Sequence, residues 1–344
     1  MADVVTDIKS IPKLTKEDFV SDQMVKWCPG CGDHAILASF QKVLPEVGVK
    51  KEDIVVVSGI GCSSRFPYYV KTYGFHGIHG RAAALSTGIK IANPNLHVWM
   101  VTGDGDSLAI GGNHFIHVLR RNIDINIMLF NNRIYGLTKG QYSPTTPTGK
   151  VTKTSPQGTI EHPFTVGELA IGAQGTFFAR AVDTNPKMMT EIMLEASKHK
   201  GTSLIEILQN CVIFYNKVHS DITSRETRDD NQIYLKHGEP MLFGKEKNKG
   251  IILKGTKLEV VTIGENGITE KDILVHDKHQ WESGIHLLLA TMKPPEYPMA
   301  LGVIRSVTDF TYDDKLEHII ESEKASSPIQ SVDDLLNSGK TWDI

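Results

Sequence analysis

The stretch from His97 to Gln141 constrains this chain more than any other: HVWMVTGDGDSLAIGGNHFIHVLRRNIDINIMLFNNRIYGLTKGQ. Val98–Thr102 is short, apolar and β-branched, the pattern of a buried strand, and it ends in Gly103-Asp104-Gly105. From about Gly112 to Arg121 the residues Phe115, Ile116 and Leu119 recur at helical spacing. Ile125–Phe130 is a second, mostly apolar strand that runs into Asn131-Asn132. A strand–helix–strand unit of this length predicts a right-handed crossover between parallel strands. Parallel strands end on one edge of their sheet, so Asp104 and Asn132 are expected to emerge side by side. A carboxylate and an amide oxygen, both hard donors, then meet beside a helix N-terminus whose free N–H groups attract phosphate. Such a site suits Mg2+ bridging to a diphosphate. Gly-Asp-Gly alone is also an ordinary tight turn; the spacing and the Asn pair after a clean strand carry the reading.

The four cysteines of the chain need an explanation of their own. Cys28 and Cys31 form a CxxC in Trp27–Gly32, ahead of an amphipathic helix over Ala35–Val43 marked by Ile36, Leu37, Phe40 and Val43, with Asp33 expected as its N-cap. Cys62 follows the strand-like Asp53–Ser58 in Gly59-Ile60-Gly61-Cys62-Ser63-Ser64-Arg65, and Cys211 follows Leu204–Leu208 in Gln209-Asn210-Cys211. Each single cysteine therefore leaves the sheet on the edge that carries Asp104. Structural disulfides are not expected in a reducing compartment. A thioredoxin-like dithiol needs a strand before the CxxC and no distant partners. Structural zinc favours two clips on one small knuckle. An iron–sulfur cluster accounts for one clip and two single ligands over a sheet that has its own core.

A chain of 344 residues can bury one large core, or a domain of about 200 residues with an appendage. Its 40% apolar and 22% charged content is that of an ordinary globular protein, and a net charge of −3 makes no case for nucleic acid or an anionic membrane. Apolar runs such as Ile127–Phe130 are far short of a membrane span, and Met1–Pro12 lacks the apolar core of a signal peptide, so a cytoplasmic protein is expected. No GxGxxG signature points to a nicotinamide cofactor.

The expected architecture is a doubly wound, mainly parallel α/β sheet over residues 27–215, preceded by an extended arm over 1–26 that contains Pro12. His79-Gly80-Arg81-Ala82 opens a small-residue helix to Ala92; His79 is either a satisfied structural group or a contact to phosphate. Thr138–Phe164, with many Pro, Thr, Ser and Gly, is either a flexible surface loop or a flap over the site carrying Lys139 and Gln141. A helix over Thr165–Ala173, a strand over Phe177–Val182, a helix over Pro186–His199 and a last strand, Leu204–Leu208, complete the domain. Residues 216–344 are expected to form a wrapping or partner-binding extension. In it Lys236–Lys254 is hairpin-like, Lys257–Thr262 is a strand, His276–Met292 contains a helix, and 293–344 is an extended tail with a short helix at Leu316–Ile320.

Taken together, WCPGCG (Trp27–Gly32), GIGCSS (Gly59–Ser64), HGRA (His79–Ala82), the GDGD turn, NNRIYGLTKGQ (Asn131–Gln141) and Cys211 resemble the β subunit of a 2-oxoacid:ferredoxin oxidoreductase, over about residues 20–215. The GDG turn with its later Asn resembles the thiamine-diphosphate motif, and the domain then is of the diphosphate-binding type. That resemblance implies thiamine diphosphate with Mg2+ on the Asp104 and Asn132 side chains and the Ile134 carbonyl. It implies a 4Fe–4S cluster on Cys28, Cys31, Cys62 and Cys211. Ile60, Gly61, Cys62, Ser63, Gly105, Asp106, Gly136 and Leu137 would line the thiamine. The activity implied is oxidative decarboxylation of a 2-oxoacid with coenzyme A to acyl-CoA and CO2, with ferredoxin as electron acceptor. The glutamate that contacts the aminopyrimidine ring would come from an α subunit carrying the pyrimidine-binding domain, in an αβ or (αβ)2 assembly. Arg65 and Lys139 are candidates for the substrate's carboxylates, which favours 2-oxoglutarate and leaves pyruvate open. A zinc-stabilised interaction module and a thiamine decarboxylase with no redox step are the alternatives; the second leaves the cysteines unused.

Overall fold

The computed structural model describes residues 14–340 and residue 342. Pro12 and the first half of the expected arm, residues 1–13, lie outside these residues. The described part of the arm does not stand free: Phe19 is fully buried in the core, and Val20 bridges to Val70.

Eleven strands follow in chain order: β1 (Ile54–Ser58), β2 (Tyr73–His76), β3 (His97–Gly103), β4 (Asn126–Asn131), β5 (Phe177–Val182), β6 (Ser203–Leu208), β7 (Gln232–Leu235), β8 (Leu242–Phe243), β9 (Lys249–Lys254), β10 (Lys257–Thr262) and β11 (Met299–Ser306). Eight of them make one sheet in the order β2-β1-β3-β4-β6-β5-β11-β7. The first six are parallel; β11 runs antiparallel to β5 and parallel to β7. β8, β9 and β10 form a separate antiparallel sheet.

Every residue of β1, β4, β5 and β6 is buried, as required of parallel strands covered on both faces. Side chains alternate between two cores. Ile54 and Val56 pack with Phe40, Phe66, Trp99 and Phe130 under the helices Asp33–Val43 and Pro186–Ala196. Val55 and Val57 pack with Ala82, Phe115, Val118 and Leu119 under the helices Ala82–Ala92 and Gly112–Arg121.

Four expectations need correction. Gly32, not Asp33, is the N-cap of the first helix; Asp33 is its first helical residue and its carboxyl is buried. The Gly32 N–H is tied to the Asn210 carbonyl, and a Cβ on Gly32 would fall 2.0 Å from an Asp183 carboxyl oxygen, so the turn is held one residue earlier than local capping rules suggest. Leu204–Leu208 is not the last strand, because β7 and β11 extend the same sheet. The extended tail expected over 293–344 is instead β11, with seven of its eight residues buried, followed by the helices Tyr312–Ser326 and Val332–Asn337. Finally β2, a short exposed edge strand, was not expected at all. The segment after residue 215 therefore supplies two strands of the main sheet, and Phe243, Ile251 and Leu258 of the separate sheet pack in the same core as Val55 and Phe115. Arg180 on β5 pairs with Glu206 on β6 at 2.7 Å and donates to the Ala290 and Ala300 carbonyls, fastening β11 to the parallel strands. Among the described residues no helix is long and apolar enough to cross a membrane.

Burial pushes His97, His199 and His276 down to about 4, and His219 to about 3, from an ordinary value of 6.5. The unfolded chain binds protons that the folded chain refuses, so the contribution of these imidazoles to stability is full above about pH 6.5 and falls as pH drops toward 4. The thermal midpoint should decline across that window; a flat profile would show that these imidazoles charge freely in the folded state.

Candidate functional site

Strand order reverses around β1 and β3, and in open parallel sheets the crevice outside the carboxyl ends at such a point is where ligands sit. A cavity of about 490 Å³ opens there. Ile60, Gly61, Cys62, Ser63, His79, Asp104, Gly105, Asp106, Asn132, Ile134, Gly136 and Leu137 all line it, so the residues singled out for cofactor and Mg2+ from four separate loops do meet. Asp33, Gly103, Phe130, Tyr135, Thr138 and Gln141 complete the wall.

Asp106 shapes this cavity. Its buried Oδ1 accepts from Ile60 N at 3.2 Å, His79 Nδ1 at 2.6 Å and Gly80 N at 2.7 Å, while Oδ2 accepts from Thr102 Oγ1 at 2.9 Å. A Cβ on Gly59 would stand 1.9 Å from Oδ2, and Gly80 adopts φ +71° with a backbone nitrogen 2.6 Å from its Cβ position. His79 is thus held through one ring nitrogen, while the other has no protein partner among the described residues. Both roles considered for it are compatible with this placement.

Asp104 lies 2% exposed, and its Oδ2 accepts from Ser143 Oγ and Thr145 Oγ1, each at 2.5 Å. The Thr145 hydroxyl also lies 3.0 Å from Asn131 Oδ1, and Asn131 Nδ2 donates to Glu206 at 2.7 Å. A buried polar chain therefore runs from Asp104 to the Arg180–Glu206 pair. Burial raises the Asp104 carboxyl above its ordinary range, against the opposing bonds from Ser143 and Thr145. A buried carboxylate whose side-chain partners are hydroxyls suits a divalent ion, and Asn132 Oδ1, now accepting from Ile134 N at 3.1 Å, adds a second hard donor. Of the two readings of Thr138–Phe164, the flap over the site fits: Ser143, Thr145, Thr146 and Thr159 are buried.

A second cavity, of about 270 Å³, is lined by all four cysteines, with Lys26, Arg65, Lys139 and Gln209. Asp33, Cys62, Asn132, Gly136 and Leu137 belong to the walls of both cavities. Gly136 marks the closest approach: a Cβ there would stand 3.5 Å from Cys62 Sγ and 3.6 Å from Cys211 Sγ. The thiols are free, and among the described residues no three His, Cys, Asp or Glu side chains close on a point that one metal ion could occupy. Four cysteine sulfurs around one cavity are a donor set that a cluster of iron and sulfide fits. Burial lifts the Cys62 thiol to about 12 and Cys31 higher still, with Asp33 adding to both, so thiolates at these positions call for a bound cation. Arg65 and Lys139 stand in this second wall and not in the first; Arg65 Nε donates to Tyr69 Oη at 2.9 Å. Ser143, Thr145 and Gln209 were not anticipated, since irregular loop residues carry no periodic signal.

Residues 59–207 match the family described as thiamine pyrophosphate enzyme, C-terminal TPP binding domain. The chain is 44% identical to the 2-oxoglutarate oxidoreductase subunit KorB of Mycobacterium tuberculosis, over 98% of this chain and 94% of that one. It is 41% identical to the 2-oxoglutarate synthase subunit KorB of Methanocaldococcus jannaschii, over 68% of this chain and 87% of that one. Its fold matches the solved 2-oxoglutarate:ferredoxin oxidoreductase from Magnetococcus marinus with 2-oxoglutarate, coenzyme A and succinyl-CoA bound, at a TM-score of 0.77 and 28% identity, over 97% of this chain and 98% of that chain.

If the Thr145 hydroxyl orients Asp104 for a metal, Thr145→Val should weaken Mg2+-dependent cofactor binding about tenfold, read by fluorescence titration with circular dichroism unchanged. An unaltered Mg2+ dependence would separate the flap from the metal.

Proposed function

The chain belongs to the β subunits of the 2-oxoacid:ferredoxin oxidoreductases, and from that membership we propose that, with an α subunit, it carries out oxidative decarboxylation of 2-oxoglutarate with coenzyme A to acyl-CoA and CO2, electrons leaving through a 4Fe–4S cluster to ferredoxin. The observation that carries this reading is the shared wall: a cavity with hard metal donors and a cavity ringed by four cysteines have five residues in common. Electrons released in one need cross only that wall to reach the other.

Thiamine diphosphate would supply the carbon nucleophile and electron sink for decarboxylation, and the cluster would take electrons one at a time. The chain's own residues bind and orient. Asp104, Asn132 and the Ile134 carbonyl would hold Mg2+ against the diphosphate, at the start of the helix Asp104–Leu108. Ile60, Gly61, Ser63, Gly105, Gly136 and Leu137 would surround the cofactor, and Asp106 with His79 would fix the loops that do so. Tyr135 Oη donates to the Gly105 carbonyl at 3.0 Å, and a Cβ on Gly105 would strike the Tyr135 ring at 2.3 Å, so that turn admits glycine alone. Cys28, Cys31, Cys62 and Cys211 would hold the cluster. Arg65 and Lys139, across the shared wall, are assigned to the carboxylates of the substrate.

No glutamate stands in the wall of the larger cavity among the described residues, which supports an α subunit as the source of the group that contacts the aminopyrimidine ring. We assign the exposed apolar side chains beside that cavity, Ile78 and Ile110, to contact with this partner in an αβ or (αβ)2 assembly. The β8–β10 sheet and the C-terminal helices are further candidates for partner contact. We propose the cytoplasm as the compartment of this assembly.

Anaerobic purification with the partner chain should yield about four iron and four sulfide per β subunit and a dithionite-reduced EPR signal. Zinc without sulfide would remove the redox reading. Turnover of 2-oxoglutarate should require both chains, so activity of this chain alone would remove the partner requirement. Arg65→Met should raise the KM for 2-oxoglutarate about tenfold and that for pyruvate less, with the cluster signal intact. Equal effects on both substrates would release Arg65 from its assigned carboxylate.

A further inference from the structure

Gln209 is the first residue past β6, and its backbone N–H continues the pairing with β4 by donating to Asn131 O at 3.0 Å. Its side chain is only 1% exposed and lines the cysteine cavity. The amide Nε2 lies 3.2 Å from Cys31 Sγ and 2.7 Å from the Asn210 carbonyl. That carbonyl decides which way the amide points: the flipped orientation would press two oxygens together, so the NH2 group faces both acceptors. One N–H goes to the carbonyl and the other to the sulfur. Oε1, by contrast, is buried with no partner. An apolar side chain of the same volume would leave no such orphan, so packing does not account for an amide here.

We propose that Gln209 is a positioning residue for the cluster, its amide N–H hydrogen-bonding the Cys31 sulfur and thereby raising the cluster's reduction potential; this rests on the cluster reading above. A donor at a ligand sulfur stabilises the more negative, reduced state of the cluster more than the oxidised state, and hydrogen bonds to sulfur are one of the levers that set such potentials. The contact belongs to the CxxC side of the cavity, and a Cβ on Gly32 would lie 3.0 Å from Gln209 Cγ, so the glutamine is wedged against the same turn that carries Cys31.

The test uses the enzyme purified anaerobically with its partner chain. Gln209→Met and Gln209→Leu keep the volume and remove the donor. With iron and sulfide content unchanged, redox titration followed by EPR should show the reduced-to-oxidised ratio at a fixed poise falling about tenfold, a midpoint about 59 mV more negative for one electron. A loaded cluster with an unchanged midpoint would overturn the proposal. A second measurement needs no variant: with 15N confined to glutamine side-chain amides, pulsed EPR of the reduced wild-type cluster should show a 15N coupling. Its absence would overturn the proposal even if both variants fail to load. Wild-type enzyme without iron and sulfide would instead remove the cluster reading, so iron analysis tells the two failures apart.

Discussion

One buried carboxylate, Asp106, holds the site in shape. It gathers the loop after β1, the loop before the helix Ala82–Ala92 and the end of β3 onto two oxygens. Four donors around a single carboxylate engage both of its oxygens and fix it in place. Loops that would otherwise move independently are thereby given one common reference point. The glycines at 59 and 80 follow from this, because any side chain would displace the carboxylate or the backbone that reaches it. Asp104, two residues away, is free for a different task because Asp106 has taken on the architecture.

The second constraint is the parallel sheet, which delivers β1, β3, β4 and β6 to one edge. Chemistry that would be scattered along the sequence is compressed into two adjoining spaces whose thinnest partition is Gly136. Glycine there lets the backbone pass between sulfur and cofactor space without a side chain to push them apart. The metal side is braced from the opposite direction through Thr145, Asn131 and the Arg180–Glu206 pair.

Much of this was legible in the sequence, and the reason is local. The strand–turn–helix–strand unit announces itself through apolar runs and the turns that end them, and the meeting of Asp104 with Asn132 then follows from parallel geometry. Cys62 and Cys211 were placed on the same edge because each follows a strand. What escaped depends on distant partners. Ser143 and Thr145 gain meaning only from a carboxylate about forty residues away. Gln209 looks like the first residue of a loop, and only the fold brings it to Cys31. β11 was passed over because it carries no motif, although its run MALGVIRS has the apolar character of an interior strand. Asp33 followed a sound capping rule that the cysteine turn overrides.

The place of β11 has a consequence for how the protein is made. It covers the outer edge of β5, yet it is the last strand to be synthesised. While the chain is emerging from the ribosome, β5 therefore presents a row of unpaired backbone groups until residue 306 is available to cap it. Arg180 and Glu206 are in the same position, because the guanidinium lacks its Ala290 and Ala300 acceptors until then. The nascent chain is consequently most open to mispairing late in translation, when the motif-bearing strands are already complete.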